Sequence, residues 1–240
     1  MKILITNDDG ISSPVLPLLA KWAKGLGEVT IAVPSVEHSG KSQAIDFVHE
    51  IMVDTVEIAP DIFAYSVAST PADCVRFGVH ALKNEYDLII SGINRGYNLG
   101  DDIVYSGTCG AIFEGARMGI NGLAISSDIP NLMEAPDSLD GIWSYIQENE
   151  LYKENKLYNV NIPPETTGEI RITKQGGAYY CDTFVRAEGE NMYIQTGYIN
   201  RDSGTCPTTD INTIRAGAIS ITPLITTRTE MSVYKKLNNL

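Results

Sequence analysis

The sequence predicts an α/β fold built on a doubly wound, mostly parallel sheet. Short runs rich in Ile, Leu and Val recur along the first half, at residues 2–6, 28–33, 86–91 and 123–126. Segments with apolar residues at helical spacing separate them. Strand, helix, strand, helix in that order marks βαβ units, in which a crossover helix joins two parallel strands. Past about residue 130 the pattern changes to shorter β-like pieces.

Taken in order, residues 2–6 form an apolar run that breaks at Asn7. Residues 14–24 carry Val15, Leu18, Leu19 and Trp22 on one helical stripe, with Pro14 suited to a first turn. Residues 28–33 are a second β-branched run, and residues 44–67 alternate loosely, as a hairpin or extended arm does. Residues 71–83 read as a helix capped by Thr70. Residues 86–91 are a strand, 110–118 a helix and 123–126 a strand. In the second half, 137–147 is helical and 158–162 is a strand stopped by Pro163-Pro164. Short β segments follow at 170–173, 179–185 and 192–198, then a helix over 209–216 and a strand over 218–222. From Thr229 onward a short helix is expected to pack on a partner subunit.

With 240 residues and 43% apolar content, the chain can bury one large core. Eighteen Lys and Arg stand against 30 Asp and Glu, a net charge of −12. That balance excludes duplex nucleic acid as a non-specific partner, because such binding depends on cationic side chains neutralising phosphates. It equally disfavours an anionic membrane surface. No run approaches the ~18 apolar residues that span a bilayer. The apolar stretch after Met1 is too short for a signal peptide core, so a cytoplasmic location is expected. The four cysteines are scattered and form no C-x-x-C pair, and the three histidines lack metal-site spacing.

The residues that carry chemistry sit just after the apolar runs. Asn7-Asp8-Asp9-Gly10 follows the first run. A loop with Glu37, His38, Ser39 and Gly40 follows the second. Gly92-Ile93-Asn94-Arg95-Gly96-Tyr97-Asn98-Leu99-Gly100 follows the run at 86–91. Ligands of doubly wound sheets bind beyond the carboxyl ends of the strands, so these loops are expected to converge. Adjacent carboxylates repel unless a cation lies between them. Carboxylate, hydroxyl and amide oxygens suit a hard divalent cation, and Asp8, Asp9, Ser39 and Asn94 make such a set. Asp8-Asp9-Gly10 is equally the composition of a turn with a helix cap, and the spacing leaves both readings open. Ser106-Gly107-Thr108 precedes a helix, where exposed N–H groups and the helix dipole bind phosphate. A plain Ser or Thr cap is the alternative there.

Two segments look like known motifs but lack a required residue. Ser39-Gly40-Lys41-Ser42 ends like a P-loop, but Ser35 stands where the first glycine belongs. Cys109 at a helix start lacks the arginine a cysteine phosphatase loop needs, since position 115 is Gly115.

The segments ILITNDDGI (3–11), Ser39-Gly40, TPADCV (70–75), SGINRGYNLGDDIVYSGT (91–108), NVNIP (159–163) and AISITPL (218–224) together resemble the SurE family of divalent-metal-dependent 5′/3′-nucleotidases. The resemblance is dense to about residue 128 and ordered but patchy to about 224. It implies a Rossmann-like core, placed over residues 1–130, with residues 131–240 completing the core and adding a smaller β-rich C-terminal extension and an oligomerisation segment. It implies one divalent metal ion per subunit, Mn²⁺ or Mg²⁺, held at Asp8, Asp9, Ser39 and Asn94. Asn98 and the Ser106-Gly107-Thr108 turn would face the phosphate. Nucleoside 5′- and 3′-monophosphates would be hydrolysed by metal-activated water, with Asp8 or Asp9 as general base, and some relatives also trim short polyphosphate. Homodimers or homotetramers are implied. Ser35, His38 and Cys109 depart from the family pattern, as does the region 170–203. The competing readings are a non-catalytic nucleotide-binding or sensor protein on the same fold, and a P-loop NTPase.

Overall fold

The fold begins with β1 (Lys2–Thr6), in which Ile3, Leu4 and Ile5 are wholly buried. A strand buried on both faces belongs at the centre of a parallel sheet. The computed structural model describes residues 1–189, 191–202 and 204–240. In chain order the elements are β1, α1 (Leu16–Lys24), β2 (Glu28–Pro34), β3 (Val53–Ala59), β4 (Ile62–Val67), α2 (Pro71–Arg76), β5 (Leu88–Arg95) and α3 (Gly107–Arg117). There follow β6 (Asn121–Ser127), α4 (Leu139–Glu148), α5 (Leu151–Glu154), β7 (Leu157–Ile162), β8 (Ile170–Ile172), β9 (Tyr180–Arg186), β10 (Tyr193–Ile199), α6 (Asp210–Arg215), β11 (Ile219–Leu224) and α7 (Met231–Leu237).

Nine strands form one sheet in the order β3-β4-β2-β1-β5-β6-β7-β11-β8. The six from β4 to β7 are parallel. β3 is antiparallel to β4, and β11 to β7. Alternation along β1 divides the core. Ile3 and Ile5 pack with residues of α1 and α4, including Leu16, Leu19, Leu139 and Ile142. Leu4 joins the opposite layer with Val75 of α2 and Ala111 and Ile112 of α3. The sheet therefore carries helices on both faces, the α/β doubly wound architecture that the alternating pattern predicts.

Several boundaries differ from the sequence expectation, each for a physical reason. β5 runs four residues past Ser91, because after a register irregularity Asn94 and Arg95 resume pairing with Ser126 and Ser127 of β6. α3 starts at Gly107 rather than 110, since the Ser106 hydroxyl caps it by accepting the Cys109 N–H at 3.0 Å. The proline in the first turn of α1 is Pro17, with Pro14 lying before the helix. Thr70 caps α2 as expected, accepting from Asp73 N. Residue 130 marks no break in the sheet: β7, β11 and β8 extend it from β6. Only β9 and β10 form a separate sheet, an antiparallel hairpin. Glu190 and Ser203, inside the region that departs from the family pattern, lie outside the described residues.

The P-loop alternative is overturned here. A Walker loop delivers its Lys and Ser into a helix whose N-terminus holds phosphate. The segment after Lys41-Ser42 is irregular up to β3.

Candidate metal and phosphate site

The strand order reverses about β1, which has β2 on one side and β5 on the other. Crevices in open α/β sheets form at such a switch point. Asp8 and Asp9 follow β1, Asn94 and Arg95 end β5, and Ser39 lies in the loop after β2. The topology thus brings the three loops to one end of the sheet.

The turn after β1 is fixed by Asn7, whose side chain donates to Gly10 O and accepts from Gly10 N, both at 3.0 Å. Gly10 has φ +83°, a left-handed conformation natural to glycine. The paired aspartates are therefore presented by a built turn, while α1 begins only at Leu16 with no side-chain cap, so neither aspartate caps it. Asp8 is 5% exposed and sits against the start of α3. A Cβ on Gly107 would stand 2.9 Å from Asp8 Cβ, so only glycine lets the helix approach. The Thr108 hydroxyl donates to Asp8 Oδ1 at 2.6 Å.

A chain of polar contacts links the loops. Arg95 N donates to Asp9 Oδ2 at 2.9 Å, and its guanidinium donates to Glu37 Oε2 at 3.1 Å. The Ser39 hydroxyl donates to Glu37 Oε1 at 2.6 Å. His38 N donates to Asp8 O at 2.7 Å. Asn94 Nδ2 donates to Gly96 O at 2.8 Å, which leaves Asn94 Oδ1 as an acceptor. A cavity of about 130 Å³ opens among Asp9, Glu37 and Arg95, also lined by Ser13 and Leu132.

Three carboxylates thus stand beside one arginine. Burial, with repulsion from Asp9 and Glu37, pushes the Asp8 carboxyl up to about 6 against the Thr108 hydrogen bond. Burial also raises Asp9, opposed by Arg95 and reinforced by Glu37. A divalent cation would relieve this excess. The donor set fits such an ion: two carboxylates with unused lone pairs, an amide oxygen held outward and a hydroxyl oxygen whose proton is given to Glu37. Among the described residues no group of three His, Cys, Asp or Glu side chains is arranged for a metal. The candidate set has two carboxylates and takes its other oxygens from Ser39 and Asn94.

The residues that the family resemblance expects to face phosphate divide. The Ser106 hydroxyl is spent on the cap and the Thr108 hydroxyl on Asp8. What the turn has to give is the backbone N–H groups of Gly107 and Thr108, since Cys109 N goes to the Ser106 hydroxyl and Gly110 N to Ser106 O. Asn98 is buried, donating to Ser126 Oγ at 2.8 Å and to Thr108 Oγ1 at 3.4 Å. Its backbone is gripped by Asn159 and Asn161 of β7. Cys109 is fully buried with its thiol pushed up to about 12 by that burial, the state of a structural thiol.

Sequence reasoning named Glu37 without giving it a role and passed over two further residues. Glu37 ties Ser39 to Arg95. Asp210, fully buried, accepts from Gly100 N, Gly176 N and Ile211 N, all at 2.8 Å, across up to 110 positions of sequence. Asp73 accepts from Asp46 N at 2.7 Å and from the Ser69 and Thr70 hydroxyls, tethering the chain that follows Ser39.

Comparison with known proteins identifies the family. The family model described as "Survival protein SurE" matches residues 3–182. The chain is 36% identical over 232 residues to "5′-nucleotidase SurE" of Syntrophotalea carbinolica, covering 93% of this chain and 91% of the relative. It is 35% identical over 249 residues to the protein of the same name from Thermoanaerobacter sp. strain X514, covering 100% and 98%. The crystal structure of a SurE protein from Aquifex aeolicus superposes with a TM-score of 0.81 at 30% identity, covering 100% of this chain and 99% of that one. Motifs at the strand ends, sheet order and whole-chain similarity converge: the chain belongs to the SurE family.

Proposed function

We propose that the chain is a phosphomonoesterase that converts nucleoside 5′- and 3′-monophosphates to nucleoside and phosphate, using one divalent cation per subunit. Relatives similar over the whole chain are named 5′-nucleotidases, which supports the enzyme class. The observation that carries the reading is the carboxylate excess of Asp8, Asp9 and Glu37 beside oxygen donors from Ser39 and Asn94. A bound Mn²⁺ or Mg²⁺ would supply a water of lowered pKa and neutralise phosphoryl oxygens. Asp8, Asp9, Ser39 and Asn94 would hold it. Whichever of Asp8 and Asp9 retains a free lone pair accepts the proton of the attacking water. The N–H groups at the start of α3 hold non-bridging phosphate oxygens, and Asn98 fixes Thr108 and thereby Asp8. Short polyphosphate presents the same terminal group and belongs to the same test.

The chain is also proposed to act as a homodimer or homotetramer. Phe184, Val185, Ile194 and Tyr198 of the hairpin and Val233, Tyr234 and Leu237 of α7 are exposed apolar residues that support self-association. No helix among the described residues is long and apolar enough to cross a membrane. The test is phosphate release from a panel of nucleoside 5′- and 3′-monophosphates with Mn²⁺, Mg²⁺ or EDTA. Turnover that requires the cation is the expected result. Binding without turnover would favour the sensor reading, and turnover indifferent to EDTA would overturn the cation assignment.

A further inference from the structure

Glu114, in α3, is a carboxylate only 1% exposed. Taking a charge out of water is costly, and a well-packed apolar side chain of similar volume is often as stabilising in such a place. Its partners show what the charge achieves. Glu114 Oε1 accepts from Arg76 Nη1 of α2 at 3.0 Å, and Oε2 accepts from Gln43 Nε2 at 2.8 Å. Arg117 Nη1 lies 3.5 Å from Oε2. The two arginines belong to helices. Gln43 belongs to the irregular segment after β2, four residues beyond Ser39.

One face of α3 meets both loops. Gly107, Gly110 and Glu114 stand at i, i+3 and i+7, a single stripe of the helix. Gly107 lies against Asp8, and a Cβ on Gly110 would stand 2.2 Å from Ser42 O, so the segment after β2 runs against the helix backbone there. Glu114 then takes Gln43. Neighbouring contacts complete a clamp on this segment: Ser42 N donates to Tyr105 O at 2.9 Å, the Thr70 hydroxyl to Ala44 O at 2.6 Å, and Asp46 N to Asp73 Oδ2 at 2.7 Å. Arg76 joins the two acids of the clamp, since its Nε lies 3.8 Å from Asp73 Oδ1. On the near side of Ser39, His38 N is tied to Asp8 O. Between these anchors Ser39 and Gly40 are exposed, and a Cβ on Gly40 would meet nothing within 4 Å. The place of Ser39 is thus set from its flanks.

We infer that Glu114 is a positioning residue for the cation site: through Gln43 it holds the Ser39 loop on the α3 face that also seats Asp8, where one ion meets ligands from both loops. The inference rests on the cation-dependent reading of the site. Glu114 lies behind the ligands and is not one itself. A carboxylate accepts from an amide through a charge-assisted bond, stronger than an amide or hydroxyl in its place would make. That bond spans 71 positions of sequence and joins a rigid helix to a segment without secondary structure of its own. An apolar residue at 114 would fill the space and leave the loop unheld.

The experiment is a titration of the full-length protein with Mn²⁺, read as free Mn²⁺ by electron paramagnetic resonance, beside thermal melts in EDTA. Gln43→Met removes the donor, keeps the length of the side chain and leaves Glu114 paired with its arginines. Its Kd for Mn²⁺ is expected to rise about tenfold, the lower end of what residues behind metal ligands deliver, with the melt in EDTA unchanged. Glu114→Leu should weaken Mn²⁺ to the same extent, and the double variant no further, because both changes cut one link. Glu114→Gln, which keeps an acceptor for Gln43, should recover most of the affinity. If Glu114→Leu does not fold, Gln43→Met decides alone. An unchanged Kd in Gln43→Met, or a lowered melt in EDTA with Mn²⁺ affinity intact, would overturn the positioning role and leave Glu114 a structural group. Wild type that binds no Mn²⁺ would overturn the cation reading and this role with it. Wild type that binds Mn²⁺ but hydrolyses no nucleoside monophosphate would overturn the phosphomonoesterase reading alone, since the affinities are measured without turnover.

Discussion

The switch point beside β1 and the β9–β10 hairpin are opposites. At the switch point nearly every side chain has a partner within the chain: Asp8 has Thr108, Asp9 has Arg95, and Ser39 has Glu37. Along the hairpin, Phe184, Val185, Tyr193, Ile194, Tyr198 and Ile199 are all exposed. A two-stranded hairpin is marginal alone in water, so its apolar faces await cover. The first region stores unfavourable charge inside a rigid frame. The second stores unfavourable apolar exposure outside it. Each is a local cost that a bound species would relieve, under the proposed function a cation in one case and another copy of the chain in the other.

The sharpest way to break that comparison is at Asp8. Asp8→Asn keeps the shape and an oxygen that accepts from Thr108, but removes the charge. Phosphate release from AMP is expected to fall about 10²–10⁴-fold, the scale of a lost general base or ligand. Because the buried charge is what costs stability, the metal-free variant should melt above metal-free wild type at pH 8. Full activity in the variant, or a lower melting temperature without metal, would remove Asp8 from the centre of the site.

Next in size is the pH dependence of the metal-free protein. Asp8 binds its proton more tightly folded than unfolded, with a folded value of about 6 against the usual 3.8. The folded state then holds more protons at this group, so the contribution of Asp8 to stability is fully present below the ordinary carboxylate range and is lost as pH rises through about 6. The whole effect is about 3 kcal/mol. Thermal melts in EDTA should decline over that window, and added Mn²⁺ should raise the melting temperature more at pH 8 than at pH 5. An equal cation effect at both pH values would show that the carboxylates are not what the cation engages.

Smaller is Asp210→Ala, which leaves the N–H groups of Gly100, Gly176 and Ile211 without their acceptor. A loss of about 2–3 kcal/mol in urea unfolding is expected. Asp210 shows where the sequence ran out. The strand-end motifs were readable because each is contiguous: Asp8 with Asp9, or Asn94 within a glycine-rich run, displays its chemistry in a few residues. The same locality made β1, β2 and β6 plain, since each is a buried run with sharp ends. Asp210 looks like an ordinary helix-start acid, and its partners lie at Gly100 and Gly176. The extension of β5 through Arg95 was hidden for the same reason, as pairing with Ser126 and Ser127 follows an irregularity that no local pattern marks. Which sheet β8 and β11 join was hidden too, because short strands do not announce their partners.

The smallest effect on stability, and the most direct test of the exposed region, comes from one face of the hairpin. The strand register places Val185, Ile194 and Tyr198 on that face, opposite to Tyr180, Asp182 and Gln195. All three are exposed, so Val185→Ser, Ile194→Ser and Tyr198→Ser remove little that the chain itself buries. Unfolding free energy of the isolated subunit should change by no more than about 0.5 kcal/mol for each, as for surface substitutions generally. Sedimentation of the triple variant should nonetheless shift to smaller species, because an apolar face that is uncovered in one chain is covered in an assembly. A sedimentation profile identical to wild type, with α7 untouched, would move the site of association to Val233, Tyr234 and Leu237. Loss of several kcal/mol in the subunit would mean that the hairpin packs on its own chain, and the contrast with the switch point would no longer hold.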